Sequence, residues 1–409
     1  MYRHIQESQT LLINTQSQKL ASQNKKIIKF GFGQSPFLPP QAVLEALKNA
    51  VKHKEYSAVQ GDAELRELIA QFHFAHNGLK VAPGNILVAP GSKILLYTVL
   101  MAFKKADVFI PSPSWVSYEP QVALAGHNSI RLRTSFDIKW RITPEILVDA
   151  IKNKKYKASI LILNYPGNPD GLTYTAKELE AIASVARKHD ILVISDEIYG
   201  LLDHNMTHAS FASFYPEKTI TTTGLSKWCG AGGWRLGVAM LYDAIAPEFK
   251  QAMIGIASET YSCAPVPVQM AAKIAYGRFQ ESMTYVNRQI QIYKEVGKFC
   301  YKGLKSNDIS LYPPEGGFYL FPDFSNHRES LLKAGIATST SLCSRLLLDT
   351  GVALLPGTAF GFGEEYLVAR LAYVDFDVPN ANTTFDLERD AANTIAGINL
   401  IDKWLSGLS

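Results

Sequence analysis

The chain of 409 residues is 47% hydrophobic and 19% charged, and its formal net charge is +4. This composition is typical of a folded globular protein and excludes a chain that is disordered throughout. The small net charge, without a long run of Lys or Arg, argues against nucleic acid as a partner. The length predicts one large and one smaller domain.

The cysteine content and the hydropathy of the chain further restrict the class of protein and its cellular compartment. The four cysteines are scattered and form no CxxC pair, so neither a zinc site nor a disulfide framework is predicted, and a reducing compartment is favoured. The N-terminal residues lack the apolar core of a signal peptide, and the longest apolar run, residues 94–103, is too short to span a bilayer. We therefore expect a cytoplasmic protein with no membrane partner.

Residues 1–26 are rich in Gln, Ser and Asn, with one short apolar patch at 11–13. We interpret them as an arm or frayed helix that packs on a neighbouring subunit, with a disordered tail as the alternative. A short strand near residue 27 then leads into a turn that contains Gly33 and several prolines. Apolar residues at helical spacing predict a helix over 41–53.

Two polar motifs follow this helix. Tyr56 precedes Asp62, which is suited to cap the next helix, so the simple interpretation is a loop tyrosine beside an N-cap. A strand over 86–90 then runs into Gly91-Ser92-Lys93, which opens a helix over 94–103. The free N–H groups at such a helix start can hold a phosphate, although Ser92 is equally suited to cap the helix.

Three more strands end in residues that suit a ligand site. The strand over 108–110 runs into a loop that carries Trp115, and the strand over 159–163 runs into the turn 164–171, which contains Asn168. A helix over 175–189 is predicted by a capping box. The strand over 191–195 then delivers Asp196 and Tyr199. Sites of α/β proteins form at the carboxyl ends of parallel strands.

Residues 223–237 carry two cations, Lys227 and Arg235, among glycines and directly after a β-branched strand at 218–223. A lysine amine attacks carbonyl groups only when it is deprotonated, and both burial and a second cation lower its pKa. Arg235 supplies that cation, and its planar guanidinium also suits a phosphate. The alternative is an ordinary surface lysine on a Gly-rich loop.

The C-terminal third begins with a long predicted helical stretch over 268–304. It continues with apolar segments over 311–321, 352–361 and 368–373, of which the first and the last are predicted to be strands. Arg370 is a single cation in an otherwise apolar strand. A buried arginine needs a partner, and two are possible: the α-carboxylate of a substrate or an acidic residue of the chain itself.

Taken in order, these segments resemble the class I/II aminotransferases of the aspartate/aromatic type, which are fold-type I enzymes that use pyridoxal 5'-phosphate (PLP). The resemblance extends over nearly the whole chain from Phe30. The matching positions stand in the order of the family: Gly33, Tyr56, Gly91-Ser92, Trp115, Asn168, Asp196 with Tyr199, Lys227 with Arg235, and Arg370. Two departures are Ser35-Pro36, where the family has Pro-Asp, and Asp170, where it has Ser or Thr.

The resemblance implies an α/β fold, with a large domain whose mainly parallel sheet is flanked by helices and a smaller α+β domain. The alternating strand and helix signals between residues 86 and 241 favour the same sheet. We place the N-terminal arm and the start of the small domain at 1–45, the large PLP-binding domain at 46–285 and the C-terminal small domain at 286–409.

The resemblance also implies the catalytic roles. Lys227 would form a Schiff base with PLP and, once freed by the substrate, act as the general base. Asp196 would keep the pyridine nitrogen protonated so that the ring remains an electron sink. Tyr199 and Asn168 would bond the ring oxygen, and Trp115 would stack on the ring.

The remaining implied contacts concern the phosphate and the substrate. The phosphate would be held by a set of residues around the helix start and the lysine loop, namely Gly91, Ser92, Lys93, Ser226, Arg235 and, from a neighbouring subunit, Tyr56. The substrate would contact Gly33, Trp115, Asn168 and Arg370, with Arg370 on its α-carboxylate. By the same analogy the bond between Asn168 and Pro169 is expected to be cis.

The implied function is transfer of an amino group between an L-amino acid and a 2-oxo acid by a homodimer with shared active sites. The same constellation also serves PLP-dependent lyases, decarboxylases and synthases, and a non-catalytic PLP-binding sensor is a further alternative. The amino donor stays open, because no partner-subunit arginine for a side-chain carboxylate is assignable. Trp115, Tyr118 and Phe318 would accept an aromatic side chain equally well.

Overall fold

A computed structural model describes residues 9–380 and 383–408. The first eight residues of the predicted arm lie outside the described residues. From residue 9 onward the arm is a helix rather than a disordered tail, and Ile13 is buried in a cluster with Leu355, Phe360 and Val368 of the same chain. The expected packing of the arm on a neighbouring subunit stays a prediction.

Within the described residues, seven strands form one sheet in the order β1-β7-β6-β5-β4-β2-β3. The pairs from β3 to β6 are parallel, whereas β7 runs antiparallel to both β6 and β1. The predicted mainly parallel sheet is therefore confirmed. Its strands are β1 (Ile86–Ala89), β2 (Ala106–Ser112), β3 (Asn128–Arg133), β4 (Ala158–Asn164), β5 (Leu192–Asp196), β6 (Thr219–Gly224) and β7 (Gly237–Leu241).

Helices cover both faces of this sheet, and a second, antiparallel sheet lies nearer the C-terminus. The helices are α1 (Gln9–Ser22), α2 (Gln41–Ala50), α3 (Ala63–Asn77), α4 (Ser92–Met101), α5 (Tyr118–Leu124), α6 (Pro144–Ile151), α7 (Ala176–Lys188), α8 (Pro247–Thr260), α9 (Val266–Gly277), α10 (Phe279–Ser306), α11 (Arg328–Lys333), α12 (Ser339–Thr350), α13 (Leu387–Asp390) and α14 (Ala392–Ser406). The second sheet has the order β8-β10-β9, with β8 at Tyr319–Leu320, β9 at Leu355–Pro356 and β10 at Ala369–Ala372.

The alternation of side chains along a strand explains how the core forms. On β4, Ile160 and Ile162 join a buried cluster with residues of α4, α5 and α8, while Leu161 and Leu163 join a cluster with residues of α6 and α7. A strand that is apolar on both faces can be stable only between two helical layers, which the fold supplies. Each fully buried Leu or Ile contributes about 1.5–3 kcal/mol.

Local signals placed several boundaries correctly. The capping box that starts α7 is present, because the Thr175 hydroxyl accepts from the Glu178 N–H and the Glu178 carboxylate accepts from the Thr175 N–H. Asp62 caps α3 by accepting from the Leu65 N–H. Both motifs are confirmed because they depend only on residues three apart in the chain.

Three expectations were wrong. The long helix over 268–304 is two helices, α9 and α10, which are separated at Arg278; the Ser282 hydroxyl donates to the free Ala275 carbonyl at this break. The strand predicted over 311–321 is reduced to β8, because turns interrupt the apolar run. The cis bonds precede Pro113 and Pro166, not Pro169.

The predicted domain boundaries stay predictions, and α10 runs across the one placed at residue 285. In the described part of the chain, no helix is both long and apolar enough to cross a bilayer. The same residues contain no cluster of three His, Cys, Asp or Glu side chains that could hold a metal ion.

Candidate active site

The ends of β5 and β6 and the lysine loop bring Lys227 to the edge of the parallel sheet. Its Nζ donates to the carbonyl oxygen of Gly33 at 2.8 Å. The same nitrogen lies 5.5 Å from the centre of the Tyr199 ring and 5.6 Å from that of Phe318. The amine is therefore held between two aromatic rings and one neutral acceptor, which is not the setting of a surface lysine.

The electrostatic surroundings of Lys227 favour its neutral form. Burial is the main cause, and Arg370 and Arg235 add to it, so that the pKa of Lys227 falls to about 7 even though Asp196 acts in the opposite direction. Among the ion pairs of the described residues, none includes Lys227. A lysine with this pKa can act as a nucleophile and as a base near neutral pH.

Asp196 ends β5 and is buried, with neutral donors only. Its carboxylate accepts from the Tyr118 hydroxyl at 2.7 Å and from the Thr222 hydroxyl at 3.2 Å. Burial raises the pKa of Asp196 to about 6, although both hydroxyl bonds act against that rise. A protonated ring nitrogen of a ligand would supply the positive charge that this carboxylate lacks.

Arg370 on β10 is 2% exposed and has neutral partners only. It donates from Nη1 to the Asn168 side-chain oxygen at 3.0 Å and from Nη2 to the Gly31 carbonyl at 2.7 Å. Its Nε has no partner, and its guanidinium carbon lies 4.7 Å from the Tyr319 ring centre and 5.2 Å from that of Phe360. The internal ion pair that the sequence left open is absent among the described residues.

The turn after β4 is fastened to the end of β5 by one side chain that sequence reasoning did not single out. Asn164 donates to the Asp196 carbonyl at 2.8 Å and accepts from the Asn168 N–H at 2.9 Å. Through these two bonds Asn168 is held beside Arg370. The signal was in the sequence, since Asn164 is the last residue of a buried strand, where α/β sites form.

A second group of residues lies at the start of α4. Gly91 has a positive φ of 95°, and a Cβ there would clash with the Arg235 guanidinium. Gly91 is also the N-cap and makes no side-chain bond, so Ser92 is the first residue of the helix and does not cap it. Lys93 Nζ lies 4.9 Å from the Trp115 ring centre. The arginine therefore stands against a helix N-terminus, an arrangement that binds anions.

Three comparisons place this geometry among known proteins. The family model for aminotransferase class I and II matches residues 25–373. The chain is 34% identical over 375 residues to an aspartate aminotransferase of Geobacillus stearothermophilus, which covers 90% of this chain and 91% of that protein. It is 33% identical over 379 residues to an asparagine–oxo-acid transaminase of Streptococcus mutans, and this match covers 90% of this chain and 92% of that protein. The solved aspartate aminotransferase of Thermus thermophilus with maleate has a TM-score of 0.85 at 26% identity and covers 98% of this chain and 100% of that one.

The chain belongs to the class I and II aminotransferases. It is a PLP-dependent transaminase with the fold-type I architecture. The names of its relatives favour transamination over the lyase and sensor alternatives that the sequence left open.

The residues of this aminotransferase fit PLP and an amino acid on observations that do not depend on the comparisons. An amine with a pKa near 7 suits an aldehyde, and a helix N-terminus beside Arg235 suits a phosphate. A buried carboxylate without a cation suits a pyridinium. The unpartnered Nε of Arg370 suits a carboxylate.

The structure places most of the predicted residues in two groups. The first group lies around the lysine amine and the β10 arginine and consists of Gly33, Lys227, Tyr199, Asn168 and Arg370. The second group lies around the start of α4 and consists of Gly91, Ser92, Lys93, Trp115 and Arg235. Ser226 precedes Lys227 and is half-buried. Tyr56 lies in neither group and is 88% exposed in its own chain.

Two tyrosines of the site were missed or misread in the sequence. Tyr118 was expected to face a substrate side chain, but it is buried, and its hydroxyl bonds to Asp196. Tyr319 was not singled out, although its hydroxyl lies 2.7 Å from that of Tyr199. Tyrosine has no sequence signature for such contacts, because they join residues 78 and 120 positions apart.

Proposed function

We propose that this aminotransferase transfers the amino group of a dicarboxylic L-amino acid, with aspartate as the first candidate, to a 2-oxo acid. Lys227 is the nucleophile and general base. The observation that carries the proposal is the environment of this amine, which has a neutral acceptor at 2.8 Å and a pKa lowered to about 7 by burial and by two arginines.

The catalytic steps assigned to the chain concern protons and orientation. When bound, PLP supplies an electron sink for the bond that is broken at the substrate Cα. Lys227 Nζ removes the proton from the Cα of the amino donor in one half-reaction and returns a proton to the Cα of the new amino acid in the other. Its pKa near 7 makes both proton transfers accessible at neutral pH. Asp196 holds a proton on the pyridine nitrogen, and Tyr199 donates to the ring oxygen.

Arg370 binds the α-carboxylate in this proposal. Its guanidinium lies near the rings of Tyr319 and Phe360, and Asn168 and the Gly31 carbonyl hold its two terminal nitrogens. A planar fork fixed in this way loses little freedom when a carboxylate binds to it, which favours a single orientation of the substrate.

The choice of aspartate rests on the relatives and on one further cation. Several relatives are named for aspartate or asparagine, and the Thermus structure was solved with maleate, which is a dicarboxylate. Lys93 has no ion-pair partner among residues 9–380 and 383–408, and burial lowers its pKa, with Arg235 adding to that effect. An unpaired cation beside Trp115 is available to an anionic group of the ligand.

We further propose a cytoplasmic homodimer in which Tyr56 reaches the phosphate of the neighbouring subunit. The support is that Tyr56 is 88% exposed in its own chain, whereas the other phosphate-site candidates lie together at α4 and Arg235. A tyrosine that is exposed to this degree is expected to contact a partner copy or solvent.

The test is a half-reaction with the PLP-loaded protein and one amino acid at a time. Aspartate is expected to replace the visible absorption band with that of pyridoxamine phosphate and to yield oxaloacetate, faster than asparagine, glutamate or phenylalanine. Release of ammonia without amino transfer would instead indicate lyase chemistry.

The decisive variant is Lys227→Ala, which is expected to lower turnover by about 10²- to 10⁴-fold through loss of the general base alone. Lys105→Ala is the matched control, because Lys105 Nζ also donates to a backbone carbonyl, that of Gly126 at 2.7 Å, but on the exposed surface. Substantial turnover by Lys227→Ala would refute the assignment of Lys227 as nucleophile and base. A comparable loss of turnover in Lys105→Ala would show that the assay reports folding rather than chemistry.

A further inference from the structure

Tyr319 contacts two of the residues that are assigned to the ligand, Tyr199 and Arg370. It belongs to β8 and is 1% exposed. Its hydroxyl is 2.7 Å from the hydroxyl of Tyr199, and its ring lies 4.7 Å below the guanidinium carbon of Arg370. One side chain therefore contacts the residue assigned to the cofactor ring and the residue assigned to the substrate carboxylate.

The number of protons in the hydroxyl pair decides which tyrosine donates. Each phenol has one proton, and either one can donate in this pair. If Tyr199 donated to Tyr319, the Tyr319 proton would have no acceptor among the described residues, and Tyr199 would have no proton left for a ligand. If Tyr319 donates to Tyr199, both protons are used as soon as a ligand oxygen accepts from Tyr199. A buried donor without an acceptor is costly, so the second arrangement is preferred when the site is filled.

The charge of Arg370 acts on both hydroxyls of the pair. Burial raises the pKa of both phenols, and the neighbouring guanidinium acts against that rise. Because the guanidinium stands over the Tyr319 ring, it strengthens the Tyr319 hydroxyl as a donor. A second ring, that of Phe360, has its centre 5.2 Å from the guanidinium carbon of Arg370.

Gly33 provides independent evidence that the Tyr319 hydroxyl occupies a fixed place. A Cβ at Gly33 would clash with the hydroxyl and with the adjoining ring carbons of Tyr319. The sequence associated this glycine with the substrate, but in the structure its missing side chain makes room for Tyr319. The Gly33 carbonyl, in turn, accepts from Lys227.

We propose that Tyr319 is a positioning residue: its hydroxyl donates to Tyr199 and leaves the Tyr199 proton for the ring oxygen of the cofactor, while its ring supports Arg370 for the α-carboxylate. The inference rests on the proposed function. The hydroxyl and the ring of Tyr319 have different roles, and each role has its own measurable consequence.

Four variants of the PLP-loaded enzyme test the hydroxyl: Tyr319→Phe, Tyr199→Phe, the double variant and Tyr293→Phe. Tyr293 is the matched control because it is a buried tyrosine of the same aromatic cluster whose hydroxyl bonds to Ser35 at 3.1 Å, outside the site. Two quantities are measured besides turnover: the pH at which the visible band of the bound cofactor changes, and the dissociation constant of PLP.

Tyr319→Phe is expected to move that pH upward by about half a unit to one unit, because a weaker donor at Tyr199 disfavours negative charge on the ring oxygen. It should lower kcat about 5- to 10-fold, the size expected for one buried hydrogen bond, and change KM for the amino acid less than about twofold. The double variant should have the same pH midpoint as Tyr199→Phe, since Tyr319 acts through Tyr199. Tyr293→Phe should leave the midpoint unchanged.

Tyr319→Leu tests the ring. Removal of the aromatic face under Arg370 is expected to raise KM for the amino acid about 10-fold, an effect that Tyr319→Phe must not show. If Tyr319→Leu does not fold, the Tyr319→Phe series decides the proposal alone.

The proposal is overturned if Tyr319→Phe behaves like Tyr293→Phe, or if the effects of Tyr319→Phe and Tyr199→Phe on the midpoint simply add. Failure of the proposed function is distinguishable from either result. In that case the unmodified protein itself would show no visible band with PLP, or Lys227→Ala would keep its turnover.

Discussion

Asp196 and Glu197 are consecutive residues at the end of β5, and both carboxyl groups are buried, at 3% and 6% exposure. Asp196 accepts from the hydroxyls of Tyr118 and Thr222 and from the backbone N–H of Ile198. Its pKa is raised to about 6, because burial outweighs these hydrogen bonds. Among the residues that the structure describes, the Asp196 carboxylate therefore has no ion-pair partner.

Glu197 has the opposite surroundings. Burial alone would raise its pKa, but a hydrogen bond with His208 at 3.0 Å and several further bonds lower it overall. Those bonds come from the hydroxyls of Ser195 and Ser210, the N–H of Phe211 and the hydroxyl of Tyr165. Glu197 also borders a small cavity of about 10 Å³ with His73, His76 and His208.

The difference between the two acids separates a ligand site from a structural one. Consecutive side chains of a strand point to opposite faces, so a single step along the chain moves a carboxylate from one environment to the other. A buried charge that the protein satisfies fully stabilises the fold, whereas one left with neutral donors is available to a ligand. Four experiments can break or sharpen this comparison.

Asp196→Asn is expected to have the largest effect. Loss of the negative charge removes the group that holds a proton on the cofactor ring, and kcat should fall about 10²- to 10³-fold. Steady-state kinetics measures the effect on kcat, and thermal unfolding measures the effect on stability. A variant with lost stability and nearly normal kcat would mean that Asp196 is the structural acid.

Glu197→Gln should show the reverse pattern. The amide cannot accept all the bonds that the carboxylate accepts, so the free energy of unfolding should fall by about 3 kcal/mol. Turnover per folded molecule should stay within about threefold of the unmodified enzyme. Denaturant unfolding and active-site titration of the folded fraction check this, and a drop in kcat as large as that of Asp196→Asn would contradict it.

The two acids should also have opposite pH dependences in the cofactor-free protein. The folded pKa of Asp196 is raised from 3.8 to about 6, so its contribution to stability is fully present below about pH 4 and is lost as the pH rises through 6. The folded pKa of Glu197 is lowered from 4.5, so its contribution is present above that value and is lost as the pH falls through its folded pKa.

Relative to the unmodified chain, Asp196→Asn should therefore gain about 2 to 3 kcal/mol of stability between pH 4 and pH 7. Unfolding curves at several pH values measure this gain. No change in the difference between the two proteins across that range would show that Asp196 is ionised throughout.

Tyr118→Phe is expected to have the smallest effect. It keeps the ring that packs edge-on against Trp115 and removes only the hydroxyl that donates to Asp196. Loss of one bond to a carboxylate should lower kcat about 3- to 10-fold and should raise the pKa of Asp196 further. The pH profile of kcat tests this, and an unchanged profile would show that Thr222 alone suffices.

Much of the molecule could be predicted from short stretches of the chain. The strands of the parallel sheet, the capping box of α7 and the cap at Asp62 depend on residues that are neighbours in sequence. The same is true of the lysine loop, in which Lys227 and Arg235 stand eight positions apart. Its resemblance to the aminotransferases identified both the family and the cofactor.

What the tertiary structure decided are the partners of these residues. Lys227 meets Gly33 across 194 positions, Arg370 meets Asn168 across 202, and Tyr319 meets Tyr199 across 120. No local pattern encodes such contacts, because the closing of loops of this length depends on how the whole core packs. The neutral acceptor at Lys227, the neutral partners of Arg370 and the neutral donors around Asp196 arise in the same way. The sequence by itself determined which chemical groups the site contains, and packing decided which of them are left without a partner for the ligand.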